Sequence, residues 1–133
     1  MQDEVTMARV ALVVDDSMLI RHTVCRFLEV RGFAVESATN GQDALEILQT
    51  LLPDVIITDL IMPKMDGREL ISHLKKNPAT QNIPIVVLAG RKTASDTEPE
   101  EKRGDFTIFK DIAIEEQMEK ALKAALGESE TTH

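Results

Sequence analysis

The chain has 133 residues with a formal net charge of −8 and a single cysteine. That length suits one domain with a real core, and one cysteine excludes a disulfide framework within the chain. No apolar run approaches the roughly 20 residues that span a bilayer, and no basic stripe offers a footprint for nucleic acid.

The charge is uneven. Residues 1–94 carry 12 acids and 10 bases, and residues 95–133 carry 11 acids and 5 bases. A partner meeting the C-terminal third should therefore offer a neutral or basic surface, although a solvated acidic face that aids solubility explains the same skew. The first residues, Met1 to Ala8, lack the basic and apolar pattern of a signal peptide. They read as an N-terminal extension of a cytoplasmic protein.

Arg9–Val14 is an unbroken apolar strand that ends in Asp15 and Asp16. Absence of alternation fits a strand buried on both faces, as in a parallel sheet. Ser17 offers an N-cap. Leu19, Ile20, Val24, Phe27 and Leu28 then recur at helical spacing up to Gly32. Cys25 in this helix reads as a small buried apolar residue. Phe33–Ala38 is half polar, which suits an edge strand. Asn40-Gly41 starts a second helix, with Ala44, Leu45, Leu48 and Leu52 on one face.

Val55–Asp59 is the stretch around which the chain is organised. Its β-branched run ends on one carboxylate, Asp59. An unpaired charge is too costly for a core, so Asp59 belongs at the strand's carboxyl edge, where open α/β sheets bind ligands. Met62-Pro63 breaks the strand, and Asp66-Gly67 turns the chain into a helix from Arg68 to Lys76. Pro84–Leu88 is a fourth strand and Phe106–Phe109 a fifth, which ends in Lys110. Between them, residues 91–104 hold Ala94 as the one apolar side chain, and Pro99 forbids a full-length helix. A short helix at Glu100–Arg103 or a loop is expected there. Ile112–Leu126 is amphipathic, with Ile114, Met118, Ala121, Leu122 and Ala125 inward, and Gly127 ends it. Residues 128–133 read as a disordered tail.

Alternating strands and helices demand right-handed crossovers and a parallel sheet covered on both faces. The strands would then place Asp15, Asp16, Asp59 and Lys110 along one edge. Clustered carboxylates repel one another unless a hard divalent cation joins them. Mg²⁺ suits one or two carboxylates with waters and phosphoryl oxygens. A carboxylate nucleophile beside Mg²⁺ and a lysine is a phosphoryl-transfer arrangement.

In order and approximate spacing, Asp15-Asp16, Asp59, Met62-Pro63, Asp66-Gly67 and Lys110 resemble the receiver domain of two-component response regulators, over roughly residues 9–126. The resemblance implies a (βα)5 flavodoxin-like fold with strand order 2-1-3-4-5 and a receiver unit over residues 9–127. It implies that Asp59 accepts a phosphoryl group from a sensor histidine kinase or a phosphotransfer protein. Asp16 resembles the direct Mg²⁺ ligand, Asp15 a ligand through water, and the Ile61 carbonyl the third protein ligand. Lys110 would pair with a phosphoryl oxygen, as would the backbone amide of Gly90. The signal would pass to a downstream protein by contact.

The likeness breaks at the switch. Receivers carry Ser or Thr where this chain has Ala89, and an aromatic where it has Thr107. The proline that follows their lysine, after a cis peptide, is Asp111 here, so a trans Lys110–Asp111 peptide is expected. An interaction module that ignores phosphate is the alternative reading. A phosphatase with an aspartate nucleophile would need a second aspartate at Ile61. His22 and His73 read as surface imidazoles, and Met18, Met62 and Met65 as packing around the edge.

Overall fold

The computed structural model describes residues 9–90, 104–110 and 113–127. Five strands form one parallel sheet: β1 (Val10–Val14), β2 (Ala34–Ala38), β3 (Val55–Asp59), β4 (Ile85–Ala89) and β5 (Phe106–Phe109). Their order is β2-β1-β3-β4-β5, the doubly wound arrangement. Four helices are described: α1 (Met18–Val30), α2 (Gly41–Ile47), α3 (Gly67–Lys76) and α4 (Ile114–Leu126). The expected short helix at 100–103, the N-terminal extension, the tail and the Lys110–Asp111 peptide lie outside the described residues.

The pleat explains why the central strands show no polar alternation. Ala11 and Val13 of β1, Val55 and Ile57 of β3, and Val86 and Leu88 of β4 pack on one face against Val24, Phe27 and Leu28 of α1 and Met118 and Leu122 of α4. Leu12, Val14, Ile56, Ile85 and Val87 pack on the other against Ala44 of α2 and Leu70, Ile71 and Leu74 of α3. Each strand residue thus meets a helix on its own side. The edge strand β2 is different: Ala34, Glu36 and Ser37 are exposed.

The helix starts follow side-chain chemistry. Ser17, Asn40 and Asp66 each accept a hydrogen bond from the backbone N–H three residues on, at Ile20, Asp43 and Glu69. Asp66 is therefore a cap, beyond the turn role expected of it. Two carboxylates fasten the opposite edge of the sheet. Asp54 Oδ2 accepts from Val10 N–H at 2.8 Å, and Asp105 Oδ2 from Ile85 N–H at 2.8 Å.

Some inward positions expected from periodicity turn outward. Leu19 is 73% exposed and Leu52 57% exposed. Helix α2 ends at Ile47, so Leu52 falls outside it. Leu19 lies on the far side of α1 from Val24 and Leu28, while its neighbour Ile20 in the same turn packs on the core. Cys25 is only half-buried against the α1 and α4 side of the core, and burial pushes its thiol pKa up.

Candidate metal and acceptor site

The C-terminal edge of the sheet gathers the acids. β1 delivers Asp15 and Asp16, and β3 delivers Asp59 as its last residue. One oxygen of each carboxylate lies within 4.8 Å of the others. Their environments differ. Asp15 is fully buried, Asp59 is 6% exposed, and Asp16 faces solvent.

Asp15 is fixed by its surroundings. Its Oδ1 accepts from Ser17 N–H at 2.8 Å, and its N–H donates to the Ala38 carbonyl. Its own carbonyl accepts from Arg21 Nη1 at 2.9 Å. Its Oδ2 is buried without a well-directed hydrogen bond. The Lys110 ammonium nitrogen lies 3.3 Å from that oxygen, an ion-pair distance.

Asp59 is held from its own loop and from β5. Its Oδ1 accepts from Leu60 N–H at 2.8 Å and lies 3.0 Å from Lys110 Nζ. Thr58 Oγ1 donates to the Asp59 carbonyl. Gly67 closes the loop behind it, donating its N–H to the Leu60 carbonyl at 2.8 Å. A Cβ at Gly67 would run into the Asp59 carbonyl oxygen and the Leu60 backbone. Only glycine allows α3 to start this close to the acid.

The electrostatics are those of an under-neutralised pocket. Desolvation, then the charge of Asp15, raise the pKa of Asp59, and the hydrogen bond and charge of Lys110 offset this only in part. For Lys110, burial works against the ammonium. Its hydrogen bond to Asp59 and the charges of Asp15 and Asp59 outweigh burial and raise its pKa. Both groups therefore hold their protons more tightly than they would in water.

Of the other expected site residues, Ile61, Ala89 and Gly90 fall at this end of the sheet, whereas Thr107 lies back along β5, paired with Val87. Ile61 lies in the loop leaving β3, its side chain 53% exposed. Ala89 ends β4, fully buried, and Gly90 follows it, half-buried. Thr107 is exposed on β5. Met62 is buried and Met65 half-buried, but Met18, expected to pack at the edge, is exposed. His22 and His73 are on the surface. Sequence reading missed Arg21 and Ser17 as supports of Asp15. The one available signal was the serine two residues after the aspartate, a spacing at which Asx turns form.

A doubly wound sheet with three acids and a lysine converging at the C-terminal edge beside its switch point defines a receiver domain. The chain belongs to the response regulator receiver domain family, which matches residues 11–123. It is 35% identical over 85 residues to the response regulator MprA of Mycolicibacterium vanbaalenii, a match covering 64% of this chain and only 36% of that regulator's length. The chemotaxis response regulator CheY4 of Vibrio cholerae is similar in structure, with 31% identity, a TM-score of 0.75, and coverage of 90% of this chain and 100% of that one. The receiver domain of the sensor histidine kinase PA1611 from Pseudomonas aeruginosa, solved with a magnesium ion in its active-site cleft, shares the fold at 18% identity. Its TM-score is 0.81, over 91% of this chain and 99% of that one. Among the described residues no helix is long and apolar enough to cross a membrane.

Proposed function

We propose that Asp59 is a phosphoacceptor that takes a phosphoryl group from a phosphohistidine on a sensor histidine kinase or phosphotransfer protein. The observation that carries this reading is the pairing of Asp59 with Lys110 at 3.0 Å beside the buried, under-bonded Oδ2 of Asp15. That orphaned oxygen and the clustered acids fit a hard divalent cation such as Mg²⁺. Asp15, Asp16, Asp59 and the Ile61 carbonyl are the residues that would hold it. The bound cation would supply charge neutralisation for the phosphoryl oxygens.

The chain's own residues do the rest. An Asp59 carboxylate oxygen attacks phosphorus. As the new P–O bond forms, the P–N bond breaks, and the donor imidazole nitrogen leaves with the bonding pair and takes a proton. Leu60 N–H and the Lys110 ammonium orient the attacking carboxylate. Lys110 then pairs with a phosphoryl oxygen, and the Gly90 amide offers a second donor. Residues 9–127 form the receiver unit, and the phosphorylated surface addresses a downstream protein.

The test is intact mass after incubation with acetyl phosphate and Mg²⁺, with wild type beside Asp59→Asn. One phosphoryl group on wild type and none on the variant is expected. A wild type that gains nothing overturns the reading. The alternative, a module that binds regardless of phosphate, draws on Ala89 and Thr107, which cannot act as the hydroxyl and aromatic of the usual receiver switch.

A further inference from the structure

Among the described residues β5 is the outer strand of the sheet, with no strand on one side of its backbone. In the parallel register Ala89 pairs with Phe109, and Lys110 N–H donates to the Ala89 carbonyl at 3.0 Å. That pattern turns the N–H and carbonyl of Phe109 away from β4, toward the open side. Gln117 of α4 meets both. Its Oε1 accepts from Phe109 N–H at 3.0 Å, and its Nε2 donates to the Phe109 carbonyl at 2.8 Å. The primary amide thus stands in for one residue of a missing strand.

The consequence falls on Lys110. The peptide joining Phe109 to Lys110 is gripped at both ends, its carbonyl by Gln117 and its N–H by Ala89. This peptide sets where the Lys110 Cα begins, and from there the side chain reaches Asp59 and Asp15. The chain has no proline after this lysine to stiffen the turn. The geometry points to Gln117 as the positioning residue for Lys110, acting through the Phe109–Lys110 peptide on the rate of phosphoryl transfer. In its kinetic part this rests on the acceptor reading of Asp59.

Gln117→Met keeps the length and packing of the side chain and removes the amide. Gln117→Glu keeps an acceptor for Phe109 N–H but sets a carboxylate oxygen against the Phe109 carbonyl, so the grip on the Phe109–Lys110 peptide is broken. Both are compared with wild type for Mg²⁺ affinity and for phosphorylation rate with acetyl phosphate, alone and in a Lys110→Ala background. Unchanged Mg²⁺ affinity is expected, with a rate loss of about tenfold or more for Gln117→Met, the scale of a misplaced catalytic group. A loss is expected for Gln117→Glu as well. In the Lys110→Ala background neither variant should slow the reaction further. A purely structural role would give the same loss in both backgrounds, and that result, or an undiminished rate in either single variant, overturns the inference.

A second reading needs no phosphoryl transfer. With ¹⁵N-labelled lysine, the Lys110 ammonium resonance of wild type should be distinct from those of exposed lysines and should move toward them in Gln117→Met. If wild type accepts no phosphoryl group, the acceptor reading fails, and this resonance decides the positioning role alone. An unmoved resonance overturns it.

Discussion

Replacing Asp59 by asparagine should stabilise the metal-free protein at neutral pH. Asp15 lies within 4.8 Å of Asp59, so their repulsion is about 3.5 kcal/mol or more at an effective dielectric of 20. Lys110 at 3.0 Å returns about 5.5 kcal/mol. Attraction to Lys110 alone would therefore favour the charge. The opposing factor is desolvation of a carboxylate only 6% exposed, which costs several kcal/mol in a protein interior. Exposed Asp16 adds a screened share of repulsion. The balance turns against the ionised form, in agreement with the raised pKa of Asp59. We expect Asp59→Asn to gain on the order of 1–2 kcal/mol, or about 3–6 °C in Tm for a domain of this size.

The sign of the pH dependence follows from the same shift. A carboxyl whose folded pKa is raised binds its proton more tightly in the native state, so wild type loses stability as pH rises from the unfolded value of 3.8 through the folded pKa. The advantage of Asp59→Asn should therefore be absent below pH 3.8 and complete above the folded pKa. Urea denaturation in EDTA across that range measures it. A variant less stable than wild type at pH 7, or an advantage independent of pH, would refute the reasoning.

Metal titration by calorimetry should separate the other acids: Asp16→Ala should abolish Mg²⁺ binding more completely than Asp15→Ala, since of these two only Asp16 resembles a direct ligand. Lys110→Ala should leave Mg²⁺ binding largely intact while slowing or destabilising phosphorylation, read by intact mass over time. Gly67→Ala should cost about 1–3 kcal/mol in urea denaturation, because its methyl group must push the Asp59 carbonyl and the Leu60 backbone aside. Hydrogen exchange with beryllofluoride and Mg²⁺ should show a muted response, without propagated protection in β5 and α4. Changes there as large as in β4 would reveal another switch.

Legibility in the sequence followed burial. Strands β1, β3 and β4 were readable because burial on both faces writes an apolar run without alternation, and a carboxylate ends a run only where the sheet reaches an edge. The strand order was carried by resemblance, since periodicity holds no information on which strands are neighbours. Leu19 is apolar in sequence yet falls outside the stripe of Ile20, Val24, Phe27 and Leu28, so its turn of α1 meets the core without it. Asp15 and Asp16 looked alike in sequence, yet the fold buries the first and exposes the second. Asp54, Asp105 and Gln117 were invisible because each bonds backbone far along the chain or across elements. A polar side chain gives no sign of that in one dimension.

The same geometry explains how an acceptor can persist while its reader changes. Asp59 is positioned by β3, Leu60 N–H, Gly67 and Lys110, and none of these contacts uses the side chain of Ala89 or Thr107; Ala89 enters only through its backbone carbonyl, which holds Lys110 N–H. Ala89 is fully buried at the end of β4 with only a methyl group to offer. Receivers place a hydroxyl there, and a hydrogen bond from it to a charged phosphoryl group is worth about 1.5–3 kcal/mol. A modification shifts a conformational equilibrium only by its differential interaction with the two states. Losing that bond weakens the bias by about ten- to hundredfold at room temperature. Thr107 lies exposed on β5, so no buried aromatic follows the site there. If Asp59 accepts a phosphoryl group, the side chains that position it are separate from those at 89 and 107, and the substitutions there would fall mainly on transmission.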